Sequence, residues 1–345
     1  MSRIEEIDKN FKIDTTINKQ DIKFHNALSE QFSLHGLLYE GGKFRRIPEA
    51  VARSVSEGVY YLHANTAGGR LRFKTNSPYI AIHAKLAAIN RMTHFTLCGS
   101  GGFDLYVDNM HANCFRPPLD MVDGYESVID IGSGMHEVCI HFPLYTNVKE
   151  LYIGLSEDAE IHAPTPYRNE KPVVYYGSSI TQGGCASRPG TTYQDFVSRE
   201  LGLDFINLGF SGNARAEDEM ADYIKGLDMS AFVYDYDHNA PDAEHLEKTH
   251  ERMFLAIRAK HPYLPIIMMS MPNYRLTPAN EKRMQIIKRT YDNALARGDK
   301  NVYFIPGPAL MEYAGNEGTV DGTHPTDLGF YSMAQALTGV MRDII

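Results

Sequence analysis

Five short apolar segments alternate with five amphipathic segments in the second half of the chain. The apolar segments lack the polar alternation of a half-exposed strand, and the segments between them repeat with the period of an α-helix. Strands that are buried on both faces and separated by helices form parallel sheets covered by helices on each side. We therefore predict an α/β fold, a three-layer α/β/α domain with a five-stranded parallel sheet. The predicted strands are residues 173–176, 205–208, 231–234, 265–271 and 301–305, and the predicted helices are residues 192–201, 217–224, 243–260, 278–297 and 326–343.

A different pattern precedes this domain. Between about residues 51 and 161, alternating polar and apolar runs are separated by turn residues at intervals of roughly ten, which is typical of an antiparallel sandwich. Residues 1–50 have sparse apolar positions, and we expect extended segments packed on the sandwich. We predict a jelly-roll-like β-sandwich domain at residues 1–165 and the α/β domain at residues 166–345. The predicted sandwich strands are residues 70–75, 79–85, 103–107, 136–141 and 150–155.

The charge balance excludes some partners. The chain has 34 Lys and Arg against 43 Asp and Glu, a net charge of -9, which opposes binding to nucleic-acid phosphates. The first twenty residues lack the apolar stretch of a signal peptide, and no apolar run approaches the roughly 18 residues of a membrane span. We therefore predict a cytoplasmic protein with neither nucleic acid nor membrane as partner. The sequence does not determine the oligomeric state, and a homo-oligomer is possible.

The cysteine and histidine spacings argue against metal and redox sites. The four cysteines are scattered without CxxC spacing, and we expect buried free thiols rather than disulfides. His136 and His141 are five residues apart, as are His245 and His250, which differs from the i, i+4 spacing of helical zinc sites. We predict no metal and no cofactor.

Polar motifs follow the predicted parallel strands. They are GSSIT at residues 177–181, SGN at 211–213, DHN at 237–239 and DGTHP at 321–325. Ligands of open parallel sheets bind beyond the carboxyl ends of the strands, so we expect these four motifs to meet in one cleft.

These residue types suit nucleophilic catalysis. A serine hydroxyl becomes a nucleophile when a base accepts its proton, and a third group must orient that base. Asp321 and His324 lie three residues apart in one loop, which lets both side chains reach the same cleft as Ser179. The Gly212 amide and the Asn239 side chain are suitable donors to a developing oxyanion.

The four motifs in this order resemble the conserved blocks of the SGNH hydrolases, also called GDSL esterases, whose domain is flavodoxin-like. The stretch GFDLY at 102–106 resembles the GxDLY motif of a sandwich domain found ahead of some SGNH esterases. The resemblance implies that Ser179 is the nucleophile, His324 the base and Asp321 its orienting carboxylate. It also implies an oxyanion hole of the Ser179 amide, the Gly212 amide and the Asn239 side chain.

The same resemblance implies a substrate class. Two-domain SGNH esterases suggest a short-acyl ester, and we expect an O-acetyl group on a sugar or oligosaccharide, removed through an acyl-enzyme. His238, Asn213 and Tyr193 are candidate substrate-binding residues, and because the chain has no Trp, a sugar would have to stack on Tyr or Phe.

Two alternatives remain open at this point. One is a lysophospholipase or thioesterase. The other is a carbohydrate-binding protein whose hydrolase domain has decayed, which is suggested by Ser178, Asp237 and Ala240, where the family pattern has other residues. Single residues also have structural interpretations, since Ser179 could merely cap a helix and Asp104 could form an inter-domain hydrogen bond.

Overall fold

A computed structural model describes residues 13–89 and 91–345 of the chain. The predicted first domain therefore begins in a stretch, residues 1–12, that lies outside the described residues. The strands are β1 Ile22–Asn26, β2 Ser33–His35, β3 Leu38–Glu40, β4 Lys43–Arg45, β5 Arg70–Thr75, β6 Tyr79–Leu86, β7 Phe103–Val107, β8 Met110–Phe115, β9 Gly124–Asp130, β10 His136–His141, β11 Val148–Ser156, β12 Ile161–His162, β13 Val173–Gly177, β14 Phe205–Gly209, β15 Ala231–Asp235, β16 Ile266–Met269 and β17 Val302–Ile305. The helices are α1 Glu49–Val55, α2 Glu57–Leu62, α3 Leu97–Gly101, α4 Ser179–Gln182, α5 Tyr193–Leu201, α6 Asp218–Lys225, α7 Ala243–Lys260, α8 Pro278–Ala296, α9 Gly307–Leu310 and α10 Asp327–Met341.

The second half contains the expected parallel sheet. Its strand order is β14-β13-β15-β16-β17, and every neighbouring pair is parallel. This is the flavodoxin-like order, in which the first strand lies between the second and the third. The predicted α/β/α fold is confirmed, and the long helices begin and end within two residues of the predicted bounds.

Both faces of the parallel sheet are buried. In β13, Val174 and Tyr176 pack in one apolar cluster, and Val173 and Tyr175 pack in a second cluster on the opposite face. Side chains alternate across a strand, so this division shows that helices cover each side. The strand sequences lack polar alternation because both faces of these strands are buried.

The first half forms two antiparallel sheets. One has the order β1-β11-β6-β9, the other has the order β12-β5-β10-β7-β8 with β2 paired to β5, and β3 and β4 form a separate hairpin. Their inward side chains form a third apolar cluster, which includes Phe73, Ile82, Phe103 and Ile140. The predicted β-sandwich is therefore confirmed. Among the described residues, no helix is both long and apolar enough to cross a membrane.

Residues 49–62 depart from the sandwich pattern. They form α1 and α2, and Ala52, Val59 and Leu62 pack in the same apolar cluster as Tyr234 and Phe254 of the parallel-sheet half. Helices of seven and six residues are too short for their period to be evident in the sequence. The division of the chain at residue 165 stays a prediction.

Asp104 joins the two halves. Its carboxylate, 0% exposed, accepts hydrogen bonds from Arg188 Nη1 at 2.5 Å and the Gly190 amide at 3.0 Å, and it contacts His111 Nε2 at 3.0 Å. Arg188 and Gly190 lie in the loop between α4 and α5. These contacts support the structural interpretation of Asp104, an inter-domain bond that holds this loop against the sandwich.

We expect Asp104→Asn to lower the free energy of unfolding by about 3 kcal/mol, because it removes one charge of a buried pair and leaves Arg188 without a counter-ion. Urea denaturation of the full chain measures the change. The matched control is Glu150→Gln, which breaks the exposed pair with Lys85 on the same sandwich and should change stability by less than about 0.5 kcal/mol. Equal effects of the two substitutions would contradict the anchoring role.

Candidate active site

The turn between β13 and α4 presents Ser179. The side chain of Ser178, not that of Ser179, caps the helix by accepting a hydrogen bond from the Ile180 amide at 3.2 Å. A Cβ at Gly177 would lie 2.0 Å from the Asp235 carbonyl oxygen, so only glycine fits where the strand ends. Because the capping position is already filled, the Ser179 hydroxyl is available to other groups.

Three side chains form a hydrogen-bonded chain in front of this turn. Ser179 Oγ lies 3.1 Å from His324 Nε2, and His324 Nδ1 lies 2.8 Å from Asp321 Oδ2. The other Asp321 oxygen accepts bonds from the backbone amides of Thr323 at 3.0 Å and His324 at 2.8 Å. Asp321 and His324 follow Ser179 by 142 and 145 positions in the sequence. The fold brings them to Ser179 in the order that a serine nucleophile requires.

The Asp321 carboxylate is ionised in this arrangement. Partial burial acts to raise its pKa, but the hydrogen bonds from the backbone and ring of His324 and from the Thr323 amide outweigh it and lower the pKa to about 2. A carboxylate at this position fixes the tautomer of the imidazole and stabilises its protonated form.

Gly212 and Asn239 flank Ser179 on the two neighbouring strand ends. Gly212 has a φ of 73° and no heavy atom within 4 Å of the position of a Cβ, so its backbone is open to a ligand. Asn239 Oδ1 accepts a hydrogen bond from the Ala214 amide at 3.2 Å, which orients the side chain and leaves its Nδ2 group as the donor. The Ser211 amide is held by Gln182 Oε1 at 3.0 Å. The two loops are therefore tied to each other and to the helix that carries Ser179.

His238 is a neutral polar group beside this cluster. Its Nε2 atom is buried without a hydrogen-bond partner. Burial, followed by the charges of His324 and Arg283, lowers its pKa to about 3. An unsatisfied ring nitrogen at this place is suited to a substrate hydroxyl or carbonyl, and substrate binding by His238 stays a prediction.

Asn213 is engaged within its own loop. Its side-chain amide donates to the Ser211 carbonyl at 2.7 Å, and its backbone amide donates to the Phe210 carbonyl at 2.8 Å. A Cβ at Gly58 in α2 would lie only 1.8 Å from Asn213 Oδ1, so the side chain is wedged against that helix. These contacts favour a positioning role for Asn213.

The prediction that Tyr193 binds substrate is wrong. The side chain is 0% exposed, its ring stacks on Phe330, and its hydroxyl donates to Thr181 Oγ1 at 3.4 Å. Tyr193 is the first residue of α5 and lies on the face of that helix that packs on the sheet. Its ring is therefore part of the apolar core.

The first half of the chain contributes two residues that the sequence analysis missed. The Tyr145 hydroxyl donates to the Ser179 carbonyl at 3.2 Å, and the His94 ring centre lies 5.5 Å from that of His324. Neither residue belongs to a motif, and each lies more than thirty positions from Ser179 in the sequence. Only the docking of the sandwich brings them to the site.

Three groups at this site could together hold a metal ion. Ligand atoms of His94, Cys185 and His324 lie within 4.8 Å of one another. Both ring nitrogens of His324 already have partners, Ser179 and Asp321. A metal ion bound there would have to displace either Ser179 or Asp321 from the His324 ring.

The fold and these contacts define a hydrolase of the SGNH type. Residues 170–342 match the GDSL-like Lipase/Acylhydrolase family, and residues 22–161 match the GxDLY family, described as the N-terminus of Esterase_SGNH_hydro-type. The chain belongs to the GDSL-like lipase/acylhydrolase family and carries the GxDLY domain ahead of it.

Solved structures have the same architecture. A putative GDSL-like lipase from Bacteroides ovatus ATCC 8483 is 31% identical with a TM-score of 0.84, over 94% of this chain and 98% of that one. The salicylyl-acyltransferase SsfX3 from a tetracycline biosynthetic pathway is 20% identical with a TM-score of 0.78, over the same shares. A family two carbohydrate esterase from Clostridium thermocellum is 14% identical with a TM-score of 0.63, over 90% of this chain and 98% of that one. The last two show the fold alone. No curated protein matches the chain.

We expect Gly58→Ala to lower kcat/KM for p-nitrophenyl acetate by about tenfold to 100-fold. The added methyl group displaces Asn213 and with it the turn that carries the Gly212 amide, and displacements of about 1 Å have effects of this size. The matched control is Gly339→Ala in α10, where a Cβ meets no heavy atom within 4 Å. Wild-type turnover in Gly58→Ala would contradict the wedge between α2 and the loop.

Proposed function

We propose that this protein is a serine esterase in which Ser179 is the nucleophile, His324 the general base and Asp321 its orienting group. The observation that carries this proposal is the continuous contact from Ser179 Oγ to His324 Nε2 at 3.1 Å and from His324 Nδ1 to Asp321 at 2.8 Å. This geometry supports proton transfer in the direction that acyl-enzyme formation requires.

The reaction proceeds in two halves. In the first, His324 takes the proton from Ser179 as the oxygen attacks the ester carbonyl carbon. The oxyanion of the tetrahedral intermediate accepts bonds from the Ser179 and Gly212 amides and from Asn239 Nδ2. His324 then gives its proton to the departing alcohol. In the second half, a water molecule activated by His324 hydrolyses the acyl-enzyme.

Ser178, Asp237 and Ala240 differ from the family pattern, but their contacts are compatible with this chemistry. Ser178 still caps the nucleophile helix. In the third motif, Asp237 Oδ2 accepts a hydrogen bond from the Met271 amide at 2.9 Å, and Arg283 donates to the Ala240 carbonyl at 2.6 Å. These contacts hold the loop around Asn239, and they speak against the alternative of a decayed hydrolase that only binds sugar.

The proposed substrate is a short-acyl ester on a carbohydrate, with an O-acetyl group as the acyl part. Tyr145 contacts the Ser179 carbonyl, and His94 lies beside His324. The buried His238 ring nitrogen without a partner interacts electrostatically with His324. These polar groups suit a hydroxylated acceptor better than a long alkyl chain. Several structural neighbours are named as carbohydrate esterases, and another, from Butyrivibrio proteoclasticus, is named as an acetyl xylan esterase at 14% identity. Their substrates support the class of acceptor proposed here.

Ser179→Ala and His324→Ala should each lower kcat for p-nitrophenyl acetate by about 10⁵-fold, and Asp321→Asn by about 10⁴-fold, because the three groups act as one unit. Steady-state kinetics measure the loss, and melting temperatures close to wild type show that folding is kept. Ser133→Ala, at an exposed turn, is the control and should retain full activity. Full turnover in any of the three active-site variants would refute the mechanism.

Acetylated xylo-, manno- and pectic oligosaccharides test the substrate. We expect mass spectrometry before and after treatment to show loss of acetyl groups from at least one of these, and p-nitrophenyl acetate to be hydrolysed faster than p-nitrophenyl octanoate. A strong preference for the octanoate would favour the lysophospholipase or thioesterase alternative. Sugar binding without turnover, unchanged in Ser179→Ala, would favour a binding protein.

A further inference from the structure

The outer face of the sandwich carries a second group of reactive side chains. In β10, Cys139 and His141 are two residues apart and so lie on one face, while Val138 and Ile140 point into the sandwich core. On the neighbouring strand β5, Arg72 pairs with Cys139 and Arg70 pairs with His141. This polar face is turned towards the parallel-sheet half of the molecule.

Two of these groups, Cys139 and His141, form with Asp195 the sequence of a nucleophile, a base and a carboxylate. Cys139 Sγ lies 3.5 Å from His141 Nε2, and His141 Nδ1 lies 2.9 Å from Asp195 Oδ1. Asp195 comes from α5, in the other half of the chain, and is 2% exposed. The arrangement therefore exists only because the two halves pack together.

The cysteine opens into a cavity. A space of about 470 Å³ lies along this seam, and residues that line it include Arg72, Tyr106, Cys139, His141, Tyr167 and Arg199. Cys139 is half-buried and is one of the residues that line this space. The volume is sufficient for a small organic molecule.

The surroundings favour a thiolate paired with an imidazolium. Burial alone would raise the pKa of Cys139, but the positive charges of His141, Arg70 and Arg72 outweigh it and lower the pKa. Burial alone would lower the pKa of His141, but Cys139 and Asp195 raise it to about 9.

The cavity also favours an anionic ligand. Arg70 pairs with Asp204 and Arg72 with Glu137, each at 2.6 Å. Arg199 forms no ion pair within the described part of the chain, and its guanidinium lies over the ring of Tyr106, 4.3 Å from its centre. It is therefore available to a carboxylate. The charged and titratable groups that line the cavity or pair with its lining are Arg70, Arg72, Tyr106, Asp108, Glu137, His141, Tyr167, Arg168, Asp195, Arg199 and Asp204.

We propose that Cys139, with His141 and Asp195, forms a second nucleophilic site that reacts with small carboxylate-bearing electrophiles entering the cavity between the two halves. The thiolate sulfur attacks the carbon that carries the leaving group. A C–S bond forms as the bond to the leaving group breaks, and that group departs with the electron pair. No oxidant or reductant is consumed, and His141 keeps its proton. The site is separate from Ser179 and does not rest on the proposed esterase activity.

Alkylation of the wild-type protein tests the proposal directly. The probes are iodoacetate, which is anionic, and iodoacetamide, which is neutral. Cleavage after Glu137 and Glu150 isolates Cys139 from the other three cysteines, so mass spectrometry gives its rate of modification separately. We expect Cys139 to react about tenfold faster with iodoacetate than with iodoacetamide, because positive charge in a cavity concentrates anions.

The pH profile of the same reaction distinguishes a thiolate from an ordinary thiol. We expect the Cys139 rate to rise less steeply between pH 6 and 8 than the rate of a thiol of pKa about 8.5, which gains about tenfold per pH unit. Asp195→Asn should make the profile steeper, because it removes the charge that stabilises the imidazolium. A rise of about tenfold per pH unit in the wild type, or no modification of Cys139, would overturn the proposal.

Two further variants separate the charge preference from general accessibility. Arg199→Gln should reduce the iodoacetate rate at Cys139 about fivefold and leave the iodoacetamide rate unchanged. Arg252→Gln, which removes an exposed arginine of α7, is the matched control and should change neither rate. Equal loss of both rates in Arg199→Gln would refute the anion preference. Ser179→Ala should leave the modification of Cys139 unaltered, which keeps this test independent of the esterase proposal.

Discussion

The register of three parallel strands determines the candidate active site. Gly177 at the end of β13 is level with Gly209 of β14 on one side and with Asp235 of β15 on the other. Within four residues of these aligned ends lie Ser179, Gly212 and Asn239 respectively. The proposed nucleophile and the two proposed oxyanion donors are thus neighbours because the strands are in register, and the first strand lies between the other two because of the flavodoxin-like order. The remaining contacts of the site refine this placement.

The first half of the chain stabilises the same edge of the sheet. Arg46 is buried, and burial lowers its pKa to about 9. Its guanidinium donates to the carbonyls of Leu62 and Asn65, each at 2.8 Å, and also to the carbonyl of Gly209, where β14 ends. A buried cation that is satisfied by carbonyl groups of both halves links them at the start of the Gly212 loop. The wedge of Gly58 against Asn213 acts on the same loop from α2.

The sequence predicts those features that depend on local pattern. Apolar runs and helix caps such as Thr277 before Pro278 specify the strands and helices of the parallel-sheet half, and the motif order specifies which loops meet. Contacts between distant segments carry no such pattern, so His94 and Tyr145 were missed, and α1 and α2 were too short to be recognised. The error at Tyr193 has a related cause, since a residue type that suits sugar stacking also suits a core, and only the packing of α5 decides between them.

The seam between the halves has two chemically different ends. At the carboxyl edge of the sheet, Tyr145 and Gln182 form neutral hydrogen bonds across the seam, and the one buried cation described there, Arg46, is satisfied by carbonyl groups. Along the side of α5, the seam instead holds charged groups, because the outward face of the β5–β10 pair is polar and must be satisfied where the second half covers it. The ion pairs there satisfy most of these charges, and Arg199 and Cys139 line a cavity. A purely structural seam would be expected to close over such groups, since an unfilled space loses packing contacts on every side.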